Sequence, residues 1–136
     1  MSKYDAFGTL LKRGAVTIAQ VANISGPGLS LDTEDVTTHD STNAWEEVVA
    51  TILRSGEVTL DLVYDPAAVT HKNASGGLIY DLVQRASTTY SITFPDTAGS
   101  VWSFTCYVTG FEPGAPHDGA LTASVKLKLT GDVTLV

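Results

Sequence analysis

Apolar and polar residues alternate with period two along most of the chain, the pattern of strands with one face in a core and the other in water. Val58, Leu60, Leu62 and Tyr64 point one way; Glu57, Thr59, Asp61, Val63 and Asp65 point the other. Over 121–130, Leu121, Ala123, Val125, Leu127 and Leu129 make one face, and Thr122, Ser124, Lys126, Lys128 and Thr130 the opposite one. Trp102, Phe104, Cys106 and Val108 alternate with Ser103, Thr105, Tyr107 and Thr109, as Tyr90, Ile92 and Phe94 do with Ser91 and Thr93. Val16, Ile18, Gln20, Ala22 and Ile24 predict a weaker strand. Residues 29–38 predict a sixth, its facing blurred by Asp32, Glu34 and Asp35. Turn residues separate these runs, among them Gly26-Pro27-Gly28, Ser55-Gly56, Asp65-Pro66, Pro95-Asp96 and Asp118-Gly119. They place a hairpin between Phe94 and Trp102 and a hairpin or longer loop between Phe111 and Leu121.

One segment departs from the strand pattern. Leu78, Ile79, Leu82 and Val83 have helical spacing, with Asp81, Gln84 and Arg85 opposite. With Ser75 as N-cap, they predict a short amphipathic helix over 76–86 packed on a sheet. Trp45, Val48, Val49 and Ile52 would share a helical face, but the same stretch reads equally as an extended loop.

The chain has 136 residues, enough for one domain that folds without disulfide staples. Only 17% of residues are charged while 43% are hydrophobic, so part of the surface is expected to be covered by other subunits. Eight basic against 15 acidic residues give a net charge of −7, which argues against a phosphate-gripping basic patch and against docking on anionic membranes. Cys106 is the one cysteine, so no intrachain disulfide can form. The opening residues lack the apolar core of a signal peptide, and no apolar run approaches a membrane span. Synthesis in the cytoplasm is the simplest reading.

The charges are also unevenly spread. Between Arg13 and Arg54 there is no Lys or Arg, while Asp32, Glu34, Asp35, Asp40, Glu46 and Glu47 give that interval a charge of −6. Residues 1–14 read as an arm with Lys3, Lys12 and Arg13 against Asp5, anchored by Phe7, Leu10 and Leu11. Arm and acidic segment can complement each other between head-to-tail copies.

Candidate chemistry is sparse. His39-Asp40-Ser41 and His117-Asp118 put acids beside bases, but sequence neighbours do not make a triad and there is no G-x-S-x-G. His39, His71, His117, Asp40 and Asp118 lack metal-ligand spacing, and Asp32, Glu34 and Asp35 do not match a calcium loop. Cys106 shares an apolar strand face with Trp102 and Phe104 and is expected in the core. No catalytic residue, metal or cofactor is expected.

A series of phrases, in order, gives the chain a family likeness. Ile24-Ser25-Gly26-Pro27-Gly28-Leu29-Ser30 leads to Asp35-Val36-Thr37-Thr38-His39-Asp40-Ser41 and Trp45-Glu46-Glu47. Ser55 to Asp65, Phe94-Pro95-Asp96, Val101 to Phe104, Val108 to Phe111 and Asp118 to Gly131 follow. In this order and spacing the chain resembles the tail tube (major tail) proteins of long-tailed bacteriophages, of the siphophage type, over about residues 14–135.

The resemblance implies a mainly β domain spanning 1–136: two packed β-sheets, sandwich- or barrel-like, flanked by one short α-helix. It implies a long loop between the second and third strands, here 38–54, that reaches an adjacent ring through Trp45, Glu46, Glu47, Val48 and Val49. Six copies would form a ring, rings would stack head to tail, and genomic DNA would pass through the lumen without specific binding. Tape-measure, tip and terminator proteins would be further partners, and the virion tail the location. An acidic lumen would repel phosphates; Glu57, Asp61 and Asp65 are the lining candidates, with Asp32 and Glu34 weaker and Lys126 and Lys128 as possible partners on the same face. Two rivals remain: a carbohydrate-binding β-sandwich of a tail tip or baseplate, and a small hydrolase using His39 or His117.

Overall fold

In the computed structural model, which describes residues 3–135, the described residues form nine strands. They are β1 (Leu10–Arg13), β2 (Val16–Thr17), β3 (Val21–Ser25), β4 (Ser30–Asp35), β5 (Val48–Arg54), β6 (Glu57–Val63), β7 (Thr88–Thr93), β8 (Val101–Gly114) and β9 (Thr122–Leu135). One helix, α1 (Leu78–Gln84), lies between β6 and β7. Seven strands form an antiparallel sheet in the order β2-β1-β7-β8-β9-β6-β3, and β4 pairs with β5 in a separate ribbon.

The spine is the β8–β9 hairpin, 14 residues in each strand. β7 pairs only with Val101–Cys106 of β8, while β6 pairs with Thr122–Lys128 of β9. The hairpin register shifts between Phe104 and Thr105 and again between Val108 and Gly110. Such bulges sharpen the twist of a long hairpin. The sheet therefore curls, without closing, until its two ends face each other across one core. Leu11 of β1 and Ile92 of β7 meet Val58, Leu60 and Leu62 of β6 there, with Phe104, Cys106, Val125 and Leu127 from the spine. Apart from Leu11, these are the expected inward faces. Each fully buried aliphatic among them contributes about 1.5–3 kcal/mol through burial.

The helix is shorter than the expected 76–86, and two of its residues face the other way. Gly77, not Ser75, occupies the N-cap position, and no side chain caps the helix. Leu78 is buried and Leu82 packs on the core, as expected, but Val83 is exposed and Asp81 is buried. The reason is a buried ion pair: Arg13 Nε and Nη2 donate to Asp81 Oδ2 and Oδ1 at 2.9 and 3.0 Å, and the Tyr90 hydroxyl donates to Oδ2. The carboxylate is thus satisfied inside, and the helix turns it toward β1 and β7 rather than toward water.

The N-terminal segment is also less of an arm than expected. Leu10–Arg13 is strand β1, paired with β7, and Leu11 is fully buried. Within the described residues the arm shrinks to 3–9; Met1 and Ser2 of the expected arm lie outside them. The weak strand expected from Val16 to Ile24 is two strands, β2 and β3, broken at Gln20, whose φ is 57°.

The 38–54 segment is not one loop. Val48–Arg54 is strand β5, and the connection proper holds a 3-10 turn at Thr42–Ala44. It joins the fourth and fifth strands rather than the second and third, because the N-terminal region supplies more short strands than the alternation predicts. The β4–β5 ribbon prolongs the neighbouring strands β3 and β6 past a bend. At the bend glycines let backbone approach backbone: a Cβ on Gly26 would lie 2.5 Å from Glu57 O, and one on Gly56 would lie 2.6 Å from Gly28 O. Both have positive φ, which glycine alone adopts without strain.

Candidate functional site

Two surfaces stand out, and the first is the ribbon. All seven residues of β5 are exposed, including Val48, Val49, Ile52 and Leu53, the last at 81%. Leu29 and Leu31 beside them are about half exposed, and Trp45 at the tip is 74% exposed. A two-stranded ribbon cannot bury both its faces, and this much contiguous apolar surface marks a contact site. Its geometry is nonetheless defined. Val36 N–H donates to Glu47 O, Glu47 N–H to Thr37 Oγ1 and Thr38 N–H to Ser41 Oγ, which closes the connection at its base. Arg54 pairs with Asp32 across the ribbon at 2.7 Å. Glu34, Asp35, Asp40, Glu46 and Glu47 have no cation within ion-pair distance among the described residues. An open groove of about 500 Å³ at the ribbon's foot is lined by Leu29, Leu31, Leu53, Val133 and Leu135.

The second surface is the polar side of a four-stranded wall made by β3, β6, β9 and the distal half of β8. Val58, Leu60, Leu62, Ala123, Val125, Leu127 and Leu129 fill its inner side. Its outer side presents Glu57, Thr59 and Asp61 of β6, Ser124, Lys126 and Lys128 of β9, and Tyr107 and Glu112 of β8. Both flanks of the wall end in unpaired backbone. β3 is an edge strand of the sheet. Tyr107–Gly114 of β8 runs beyond the reach of β7 and pairs only with β9. Free edges of this kind invite a strand from another chain.

The expected lining residues separate in space. Glu57 and Asp61 share the wall, with Lys126 and Lys128 on the same side. Asp65 lies past the end of β6, where its Oδ1 accepts from Ala67 N–H. Asp32 and Glu34 belong to the ribbon, not to the wall. The histidines do not converge. His39 and His117 are exposed, whereas His71 is buried, its Nδ1 accepting from Asp65 N–H and its Nε2 donating to Ala19 O. No three His, Cys, Asp or Glu among the described residues are grouped to hold a metal.

Behind the wall, Arg13, Asp81 and Tyr90 lock β1, α1 and β7 together, with Cys106 near. Burial first, then the bond to Asp81, pushes the Tyr90 phenol well above its ordinary range. Burial, then the negative field of Asp81, pushes the Cys106 thiol up to about 12 from 9.0. Both groups are neutral when folded and ionise more readily when unfolded. Their stabilising contribution is therefore complete below the unfolded values and lost as pH rises through the folded ones. Unfolding free energy should fall with pH above about 9. Cys106→Ala should flatten the first part of that fall in a series of melts between pH 8 and about 12. Identical slopes for the two proteins would show that the thiol carries none of it.

Comparisons with known proteins agree with this architecture. A sequence model of the family described as lambda phage tail tube protein, TTP, matches residues 2–136. No curated protein sequence matches the chain. Among solved structures, a chain of the virion of a native gene transfer agent particle superposes with a TM-score of 0.77 at 17% identity, covering 98% of this chain and 99% of that one. A chain in the tail of an empty gene transfer agent particle with C6 symmetry gives 0.77 at 18%, with the same coverage of 98% and 99%. A chain in the sheath/tube terminator of an extracellular contractile injection system gives 0.76 at 13%, covering 100% and 98%. At these identities the structural matches show a shared fold.

Proposed function

The chain belongs to the lambda phage tail tube protein family, and we propose that its copies close into six-membered rings that stack head to tail into a hollow tube for DNA. The observation that carries this reading is the pair of free edges on the four-stranded wall. If β3 of one copy adds to Tyr107–Gly114 of the next, the contact is heterologous, and repeating it generates a ring. Ring closure also removes the edges that would otherwise template aggregation. Six copies are proposed because a tail sharing this fold has C6 symmetry.

In such a ring the apolar side of the wall stays in each subunit's core, and the side with Glu57 and Asp61 lines the lumen. Asp65 stands at its mouth. The ribbon projects away from the wall, so Trp45, Glu46, Glu47, Val48 and Val49, together with Asp32 and Glu34, meet the adjacent ring. Arm residues 3–9 offer Lys3 to that acidic ribbon. The role is structural rather than catalytic. Tube ends would meet tip and terminator proteins, and the lumen would hold a tape-measure chain before DNA. Subunits would be made in the host cytoplasm and end in the virion tail.

Negative-stain microscopy of the purified protein, alone and with tail extract, tests this reading. Hollow tubes of one diameter with sixfold end views are expected. A chain that remains monomeric at high concentration, even with a tail initiator, overturns it.

A further inference from the structure

Cross-strand register sorts the charges of the wall into rows. Glu57 lies opposite Lys128, which lies opposite Tyr107. Thr59 lies opposite Lys126, which lies opposite Gly110. Asp61 lies opposite Ser124, which lies opposite Glu112, and the Ser124 hydroxyl donates to Asp61 Oδ1 at 3.1 Å. The first row balances itself, the second holds an ammonium group with no carboxylate opposite, and the third holds two carboxylates.

From this arrangement we infer that Lys126 is where the channel wall touches DNA phosphates, in a lining that is layered in charge rather than uniformly acidic. The inference rests on the reading of this wall as the lumen lining. Three carboxylates against two ammonium groups leave the wall at −1 per copy, whereas the whole chain carries −7. Most of the acidity is therefore elsewhere, much of it on the ribbon and its tip. Lys126 is exposed, and its stem lies across Gly110, where a Cβ would meet Lys126 Cβ, Cγ and Cδ at 3.7–3.9 Å.

Ring symmetry would set the Lys126 side chains of all copies at one height. The carboxylate row stands two residues further along the strands, about 7 Å away. That is within one Debye length at physiological salt, about 8 Å. A phosphate far from the wall averages the rows and meets a weak net repulsion. A phosphate at the wall meets Lys126, but the neighbouring carboxylates limit the counterion release that would hold it. The lining thus permits contact without retention, as a conduit requires.

Competitive labelling of assembled tubes tests the inference without any substitution. A small amine-acetylating reagent should modify Lys126, while the same group carried on a bulky dextran should reach the half-exposed Lys72, between β6 and α1, but not Lys126. A short single-stranded oligonucleotide at low salt should slow Lys126 acetylation several-fold, and Lys128 less, because Glu57 faces it. High salt should restore both rates. If the bulky reagent modifies Lys126 as fast as Lys72, the wall faces outward and the lumen reading fails with the inference. If Lys126 is shielded from the bulky reagent but unaffected by the oligonucleotide, the lumen stands and the phosphate contact is overturned. Protection by poly-glutamate but not by the oligonucleotide also overturns it, in favour of a polypeptide guest.

Discussion

Arg13→Ala is expected to destabilise the free subunit by about 3–5 kcal/mol, the cost of stranding one member of a buried ion pair. The stranded member is Asp81, whose side chain is 3% exposed and whose two oxygens both accept from the guanidinium. After the substitution only the Tyr90 hydroxyl would remain to stabilise the carboxylate. The Arg13 side chain itself is 28% exposed, so water that enters beside Asp81 will hold the loss toward the lower figure. Arg13→Lys should recover part of the stability but not all, because an ammonium group cannot make the paired, forked contact. The bond to Asp81 outweighs the opposing effect of burial and holds the guanidinium above its ordinary value. Urea unfolding of wild type and both variants measures the series. A loss under about 1 kcal/mol for Arg13→Ala would place the pair among solvated surface bridges and remove its role in tying β1 to α1.

That same pair marks where the sequence stopped being informative. Periodicity identifies the strands because half-burial of a pleated ribbon forces alternation, and every inward residue of β6 and β9 follows it. Helical periodicity assumes that an acid faces water. Asp81 breaks the assumption because its partner lies 68 residues earlier, in a segment that reads as an exposed arm. Leu10–Arg13 is too short for alternation to declare itself; only its pairing with β7 makes it a strand. The ribbon fails for the converse reason. β5 is apolar on both faces, so its pattern carries no period of 2 and imitates a helix at Trp45, Val48, Val49 and Ile52. The missing polar face belongs to a surface that the single chain does not cover. The wall was half legible. Glu57 and Asp61 could be assigned one face from alternation, with Lys126 and Lys128 on the polar face of another strand. Which charge stands opposite which depends on register, set by the long hairpin and its two bulges.

Trp45→Ala is expected to leave the subunit folded and to impair tube growth severely. In the subunit the indole is 74% exposed, so its loss should change the folding free energy by no more than about 0.5 kcal/mol. In the tube the same ring would fill a pocket on the neighbouring ring, where aromatic anchors typically contribute 2 kcal/mol or more. That corresponds to about a 30-fold weaker contact, repeated by symmetry at each junction between rings. The critical concentration for polymerisation should rise accordingly. Leu53→Asp should act in the same direction, since Leu53 is 81% exposed beside Leu31 on the ribbon and lines the groove at its foot. A carboxylate there would be stranded by any apolar partner. Hydrogen exchange supplies the independent check. Amides of β4 and β5 should exchange quickly in the free subunit, where no second layer covers them, and slowly in the tube. If Trp45→Ala lowers the melting temperature by several degrees yet polymerises at the wild-type concentration, the indole stabilises the subunit's own fold and the ribbon is not the contact between rings.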